Sequence, residues 1–349
     1  MKRIIGIIFI FLFLIACKQE YQPRNIKSIS IKAFKIEGSS IRAIQVVNHK
    51  SVFYAGSSGD VGFTMDSGSL WNTIHIRHQD SMIPHFRSLG FNGSSYFALS
   101  IGNPALLYKI SKGVTTLKYI EEGDNVFYDA LTFFDDNSHG IAVGDPTEEC
   151  ASILITEDGG ETWNKTPCDN LPKMIKGEAF FAASNTNIKT IGSTVWIASG
   201  GNKARVLKST NYGKTWQLFE TPIIQGNGPQ GIYSIDFVDE ENGIIIGGDY
   251  SKPFENKANK AMTKDGGKTW TLVADHQTPN YKSCIQYVPN TAGKEVFAVG
   301  KTGISFSNDG GKNWKSVSKD SYYTIQFVDK NIAWLGGHEK IGKLDLSSN

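Results

Sequence analysis

The chain of 349 residues carries 36 Lys and Arg against 34 Asp and Glu, a formal net charge of +2, and 40% of it is hydrophobic. Cations scattered and balanced in this way exclude a nucleic-acid binder, which needs a basic face or stripe. Glycine, at 36 residues, exceeds its usual share of about 7% and predicts many tight turns. At the N-terminus, Lys2 and Arg3 precede an almost unbroken apolar run from Ile4 to Ile15, followed by Ala16 and Cys17. A charged start, an apolar run too short to span a bilayer comfortably and a small residue predict a signal peptide over residues 1–16.

The string LIAC that ends at Cys17 is similar to the bacterial lipobox, which implies that Cys17 is lipidated and heads the mature chain. Ordinary secretion with a free Cys17 is the alternative. Lys18 stands where an Asp would have resembled an inner-membrane retention signal. The expected place is the bacterial cell envelope, at the outer membrane, held by lipid alone. Residues 17–28 are expected as a lipidated tether and 29–349 as one domain, because no second long apolar segment or low-complexity linker interrupts them.

Five strings recur along the domain: TMDSGSLW from Thr64, TEDGGETW from Thr156, STNYGKTW from Ser209, TKDGGKTW from Thr263 and SNDGGKNW from Ser307. The interval between the first two is longer than the rest by a whole unit, and residues 86–121 fill it with the strand-like runs FRSLGF, YFALS, ALLYKI and TTLKYI. After the last string, YYTIQFV, IAWLGG and KIGKLDL supply three strands and lack a fourth, which ISIKAFKIE near the N-terminus can provide. These runs predict an all-β chain, a seven-bladed β-propeller of four-stranded blades. The blades are expected at residues 41–76, 86–121, 128–166, 178–220, 232–273, 284–317 and 322–346, the last closed by the N-terminal strand 29–36 so that no sheet edge stays open. A six-bladed closure is the alternative.

The five strings resemble the Asp box, S/T-x-D-x-G-x-T-W, also called the BNR repeat. The resemblance implies a structural role for Asp66, Asp158, Asn211, Asp265 and Asp309 in the turn between third and fourth strands. There the acid accepts backbone N–H bonds, glycine supplies a positive φ and the Trp packs between blades. Asn211 in the third copy and Leu70 in the first depart from the pattern. Propellers with Asp boxes include sialidases and the plant photosystem II stability/assembly factor. IRAI at Ile41, FRSL at Phe86, FYDA at Phe127, GEAFFAAS at Gly177 and GGDYSKP at Gly247 resemble the bacterial relatives of the latter, along the whole mature chain. That likeness implies an assembly factor, or an oxidoreductase by label. IRAI and FRSL lack the Asp that follows Arg in those relatives, so any role resting on that acid is lost here.

With the boxes on one face, a site is expected on the other. Aligning first strands on their packed apolar residues Ile44, Leu89, Leu131, Phe180, Ile235, Ile285 and Ile325, and stepping two residues toward the mouth, gives Arg42, Arg87, Asp129, Glu178, Tyr233, Ser283 and Tyr323. Loops between second and third strands add Asp145, Asn202, Arg205, Asp249, Tyr250, Lys252, Lys301 and His338 to the same face. Polar groups converging on a concave mouth are expected to bind a ligand. The alternative is that Arg and acid neutralise one another and plug the channel.

The function expected from these features is that of an envelope lipoprotein acting as a binding or assembly scaffold. Its partner is an envelope protein, a glycan or a small anionic ligand, and the protein works as a monomer without a cofactor. A sialidase-like glycoside hydrolase is the alternative, with Arg42, Arg87 and Arg205 on a carboxylate and Asp129, Glu178 and Tyr323 as acid and nucleophile pair, although no F/Y-R-I-P string is present. Catalytic residues stay unassigned. An oxidoreductase has no support from a G-x-G-x-x-G after a strand, a C-x-x-C-H or a metal-spaced His and Cys group. His75, His78 and His85 fall around one connection and read as solvated, so no metal is expected. Cys150 and Cys168 flank TEDGGETW and are expected to face each other across the hairpin within reach of a disulfide. A register shift of one residue would forbid that bond. Cys284 is expected packed and reduced.

Overall fold

The computed structural model describes residues 21–347, so the expected signal peptide and Cys17 lie outside the described residues. The chain is all-β: its one helical element among the described residues is the 3-10 turn Cys168–Asn170. No helix among the described residues is long and apolar enough to cross a membrane. Antiparallel sheets surround a central channel, which is the arrangement of a β-propeller. Inner strands are covered on both faces by neighbouring sheets, so they read as continuous apolar runs. Gly140–Gly144 (GIAVG), Thr194–Ala198 (TVWIA) and Val296–Gly300 (VFAVG) are buried at every position. Outer strands such as Asn72–His75 and Gln217–Glu220 expose their polar residues to water and keep Ile74, Leu218 and Phe219 half-buried. Each fully buried Val, Ile or Leu contributes on the order of 2 kcal/mol. That burial is spread over several clusters between adjacent sheets, with no single centre.

The expected count of seven blades is corrected to six. The hydrogen-bonded sheets number six, four of them four-stranded and two six-stranded. The reason is that strands run through from one expected blade into the next. Ile31–Val46 pairs with Ile332–Asp345 from Ile31↔Leu344 to Lys35↔Lys340, and then with Val52–Gly56 from Ala43↔Ala55 to Val46↔Val52. The strand meant to close the last blade is therefore continuous with the strand that opens the first. In the second six-stranded sheet, the short pairs Glu178↔Gly201 and Gly200↔Gly231 extend the set that begins at Gln230–Phe237.

One expected blade also begins in the wrong place. Ile188–Ile191 is the first strand of the sheet that contains Thr194–Ala198, Arg205–Ser209 and Gln217–Glu220. Ile188 lines the channel with Ile44, Leu89, Leu131, Ile235, Ile285 and Ile325, in the place assigned to Phe180. Residues 180–187 instead cross the channel as irregular chain whose polar groups bond to several sheets. Asn185 accepts from the Leu131 N–H at 2.9 Å and donates to the Leu89 carbonyl at 3.0 Å. On the far side, Ser184 donates to the Ser283 carbonyl at 2.7 Å, and the Ile235 N–H donates to the Thr186 carbonyl at 2.9 Å.

Residues 21–28, expected as part of a tether, are instead fastened to the propeller. Tyr21 donates to Glu295 at 2.6 Å, Arg24 forms an ion pair with the fully buried Glu295 carboxylate at 2.5 Å, and Ile26 is buried in the core. Cys150 and Cys168 are joined in a disulfide with a Cα–Cα distance of 5.6 Å. They are not ladder partners, however. The paired residues are Leu154↔Lys165 and Ile155↔Asn164, a register that would carry Cys150 opposite Asp169. The bond forms because the chain has left the hairpin: Cys168 opens the 3-10 turn and Cys150 bridges to Lys173. Cys284 is free and buried.

The recurring strings form one turn five times. At Asp158, Oδ1 accepts from the Thr162 N–H at 2.9 Å and Oδ2 from the Thr162 hydroxyl at 2.6 Å, while the Gly160 N–H donates to Thr156 Oγ1 at 2.9 Å. Asp265 and Asp309 repeat both carboxylate contacts, with Thr269 and Asn313 as donors. Asn211 keeps them through its amide oxygen and nitrogen. Asp66 accepts the Leu70 N–H and lacks the side-chain bond, because Leu70 has no donor there. Gly160 sits at φ 88°, and a Cβ on it would come within 2.4 Å of the Phe97 ring. Only glycine fits against that ring.

Candidate functional site at the channel mouth

Residues 180–187 divide the channel. Below them a cavity of about 190 Å³ is lined by the apolar ring and by Ser184, Asn185 and Thr186. Above them the mouth is a cavity of about 580 Å³, floored by Phe180, Phe181, Ala182 and Ala183. Of the residues expected there, Arg42, Arg87, Tyr233, Ser283, Tyr323 and Tyr250 line it, together with Asp145 and Lys301.

The two arginines share the floor. Arg42 Nη1 donates to the Ala183 carbonyl at 3.0 Å, and its guanidinium lies 4.0 Å over the Tyr323 ring. Its buried Nε has no hydrogen-bond partner. Arg87 reaches the Ala182 carbonyl and His85 Nε2 at 3.5 Å each, at the limit of a hydrogen bond. Neither arginine forms an ion pair among the described residues. Burial, with each other's charge beside it for Arg87, pulls both pKa values down, that of Arg87 to about 10. Burial and the two guanidinium groups hold His85 neutral, with its pKa lowered to about 4.

Aromatic rings form the opposing wall. Phe181 and Tyr233 stack at 4.0 Å, Tyr281 meets Tyr233 edge-on at 4.9 Å, and the Tyr233 hydroxyl donates to the Pro229 carbonyl at 2.8 Å. Lys301 donates to the Tyr250 carbonyl at 2.5 Å and lies 5.8 Å from the Tyr281 ring. Ser283 is turned inward and donates to the Tyr323 carbonyl at 2.7 Å. Phe181 and Tyr281 were not anticipated. Tyr281 was within reach of the alternation that found Ser283 and Ile285, continued by one more step of two; nothing local marks Phe181.

The expected acidic side is not assembled as an open half of the mouth. Asp129 is fully buried and both its carboxyl oxygens lack a hydrogen-bond partner. Burial, with Asp145 adding and Arg87 opposing, raises its pKa well above the usual range. Asp145 accepts the Phe180 N–H at 2.7 Å, and burial pushes its pKa up to about 6. Glu178 and Arg205 neutralise each other. Their ion pair at 2.5 Å is completed by Arg205 Nε at 3.0 Å, the Ser199 hydroxyl at 2.6 Å and the Ile175 N–H at 3.0 Å, and neither residue lines the mouth. The plug expectation thus describes Glu178 and Arg205 and does not describe Arg42 and Arg87. Asp249 holds its own loop by accepting the Ser251 hydroxyl at 2.5 Å, Lys252 pairs with Glu255, and Asn202 donates to the Lys176 carbonyl. Those residues and His338 stay outside the mouth.

No group of three His, Cys, Asp or Glu among the described residues is placed to hold a metal. His78 contacts the Tyr108 hydroxyl and His85 contacts Arg87, so the histidines around the first connection do not converge.

No protein-family model matches the chain, and no curated protein matches it in sequence. Solved structures match it in fold. YCF48 bound to D1 peptide is similar with a TM-score of 0.66 and 14% identity, covering 93% of this chain and 100% of that one. YCF48 from Cyanidioschyzon merolae has a TM-score of 0.64 and 18% identity over 90% of this chain and 99% of its own. The RRP9 WD40 repeats, at 0.62 and 11% identity, cover 94% of this chain and 100% of theirs. At these identities the likeness is one of fold, that of a β-propeller.

Proposed function

We propose that the chain is a lipid-anchored protein of the bacterial outer membrane that acts as a binding or assembly scaffold, with an anionic group of its partner held at the channel mouth between Arg42 and Arg87. The observation that carries this reading is the pair of half-buried guanidinium groups without a carboxylate partner, set opposite an aromatic wall. A cation withdrawn from water and left unpaired costs free energy that an incoming anion returns. The solved YCF48 structure bound to D1 peptide supports a protein segment as one class of ligand. A glycoside hydrolase is less well supported, because Glu178 and Arg205 are spent on each other.

The test is ligand-induced stabilisation of the purified chain by succinate, inorganic phosphate and N-acetylneuraminic acid. At least one should raise Tm in the unaltered protein and none in the double variant Arg42→Ala/Arg87→Ala, whose Tm without ligand should change little. Absence of any shift in the unaltered protein, or an equal shift in both proteins, would overturn the reading.

A further inference from the structure

The turn that recurs five times serves as its own control. After its opening Thr or Ser stand Met65, Glu157, Thr210, Lys264 and Asn308, and before its closing Trp stand Leu70, Thr162, Thr215, Thr269 and Asn313. Only the first copy has large apolar side chains, and it has them at both positions. Leu70 forgoes the bond that Thr162 and Thr269 make to their Asp. The core does not use the exchange, because Met65 is 65% exposed and Leu70 61%. Val114, just past the corresponding turn of the next sheet, is 64% exposed. Apart from Phe254, these three are the most exposed large apolar side chains among the described residues. Apolar side chains gathered in this way mark a surface that something covers.

They lie at the end of the propeller opposite the mouth. First-to-second and third-to-fourth connections share one end of an antiparallel sheet, and at that end Tyr21 and Arg24 bond to Glu295. From there the surface is continuous. Arg24 donates to the Lys330 carbonyl at 2.6 Å, Asp329 meets His49 at 2.7 Å, and the Ser67 N–H donates to the Lys50 carbonyl at 2.9 Å, which reaches the turn of Met65 and Leu70. Ala43, Ala55 and Val61 then pack against Leu89, Ala98 and Leu106 of the sheet that carries Val114. Lys50, Lys112, Lys312 and Lys330 are exposed in the connections of this sector, and none forms an ion pair among the described residues. The acids of these connections are engaged: Glu295 by Arg24, Asp329 by His49, and Asp66 and Asp309 by N–H groups of their own turns. The other half of the base is different. Asp135, Asp136, Asp239, Glu240 and Glu241 are exposed there, beside one exposed large apolar side chain, Val238.

We propose that the sector around Met65 and Leu70 is a seat on the lipid surface that holds the anchor. Met65, Leu70 and Val114 enter the boundary between headgroups and acyl chains, and the four lysines face anionic headgroups. The reach of the chain selects this occupant. Cys17 is four residues ahead of Tyr21, and four extended residues span at most about 14 Å, so a lipid on Cys17 keeps the Tyr21 end of the sector within that distance of the bilayer. This inference rests on the lipid-anchor reading and adds to it a second, protein-borne contact with one orientation.

The test uses the lipidated full chain in vesicles of phosphatidylethanolamine and phosphatidylglycerol. Leu70→Cys, Val238→Cys and Phe254→Cys each carry a fluorophore on the new thiol, since Cys150 and Cys168 are joined and Cys284 is buried. With phospholipid spin-labelled in its acyl chains, the Leu70 reporter should lose most of its fluorescence, while the Val238 and Phe254 reporters keep theirs. Lys50→Glu/Lys330→Glu should restore much of the Leu70 signal and leave flotation with the vesicles intact, because charge reversal removes the attraction to anionic lipid and not the anchor. Equal loss at Leu70 and Val238, or no loss at any reporter in protein that floats, would overturn the seat and leave the anchor standing. A chain whose Cys17 carries no lipid by mass spectrometry would remove the anchor reading and the seat with it.

Discussion

Arg42 and Arg205 are one residue type in two states, and burial alone does not separate them. Arg205 meets Glu178 through two of its nitrogens, with Ser199 and the Ile175 N–H completing the carboxylate. Removing either partner of such a pair leaves the other charge stranded, at a cost of roughly 3–5 kcal/mol. Arg42 has a carbonyl and a ring, which fix its direction and leave its charge unmatched. Asp145 supplies a pH dependence of its own. Burial raises its pKa from 3.8 to about 6, so the folded chain holds a proton that the unfolded chain has released. Its contribution to stability is present below about pH 4 and is lost as pH rises through about 6. Asp158 and Asp265 act in the opposite sense and in another window. Burial works against the shift, but the bonds from Thr162 and Thr269 outweigh it and lower both pKa values to about 2, so their contribution is lost only as the pH falls through that range. Urea midpoints of Asp145→Asn against the unaltered chain should therefore show a shallower decline from pH 4 to pH 6.5. Parallel profiles would refute the assignment to Asp145.

The strand Ile31–Val46 does the work of two elements, because its first part covers the edge of Ile332–Asp345 and its second part begins a sheet with Val52–Gly56. Deleting residues 26–38 removes the first part and Ile26 with it, and leaves the Lys340–Leu344 edge without its partner. An open edge of that length templates association. Size-exclusion chromatography with light scattering should find the deletion variant aggregated, and recovery of a folded monomer would refute the closure. The pairing of the two chain ends was legible in the sequence, since three strand-like runs after SNDGGKNW lacked a fourth. That the pairing strand runs on into the next sheet was not legible, because edge continuity depends on backbone geometry around Gly38 and not on apolar pattern. GIAVG and VFAVG were readable as inner strands from their composition. GEAFFAAS was misread as a strand because its partners, Asp145, Arg42 and Ser283, are distant in sequence and leave no local periodicity. That one misplacement moved Glu178 into a ring it does not join and left Thr186 out of consideration. The arginines of the mouth were found because Ile44 and Leu89 are ordinary strand residues and the count of two from each was sound.

For the molecule as a whole, the proposed lipid anchor at Cys17 lies beyond the described residues and is tested separately. Cys17→Ser should move the protein from the membrane fraction to the soluble fraction after cell lysis, and continued extraction only by detergent would show a second means of attachment. The direction in which the protein faces follows from the contact of Tyr21 and Arg24 with Glu295. Glu295 lies in the connection from Cys284–Tyr287 to Val296–Gly300, a first-to-second-strand connection, whereas Tyr250 and Lys301 belong to second-to-third-strand connections. In antiparallel strands those two kinds of connection lie at opposite ends. Tyr21 therefore stands at the base of the propeller, and the proposed lipid anchor at Cys17, four residues before it in the sequence, would act like the stem of a cup, holding the body by its underside with the bowl turned away from the membrane.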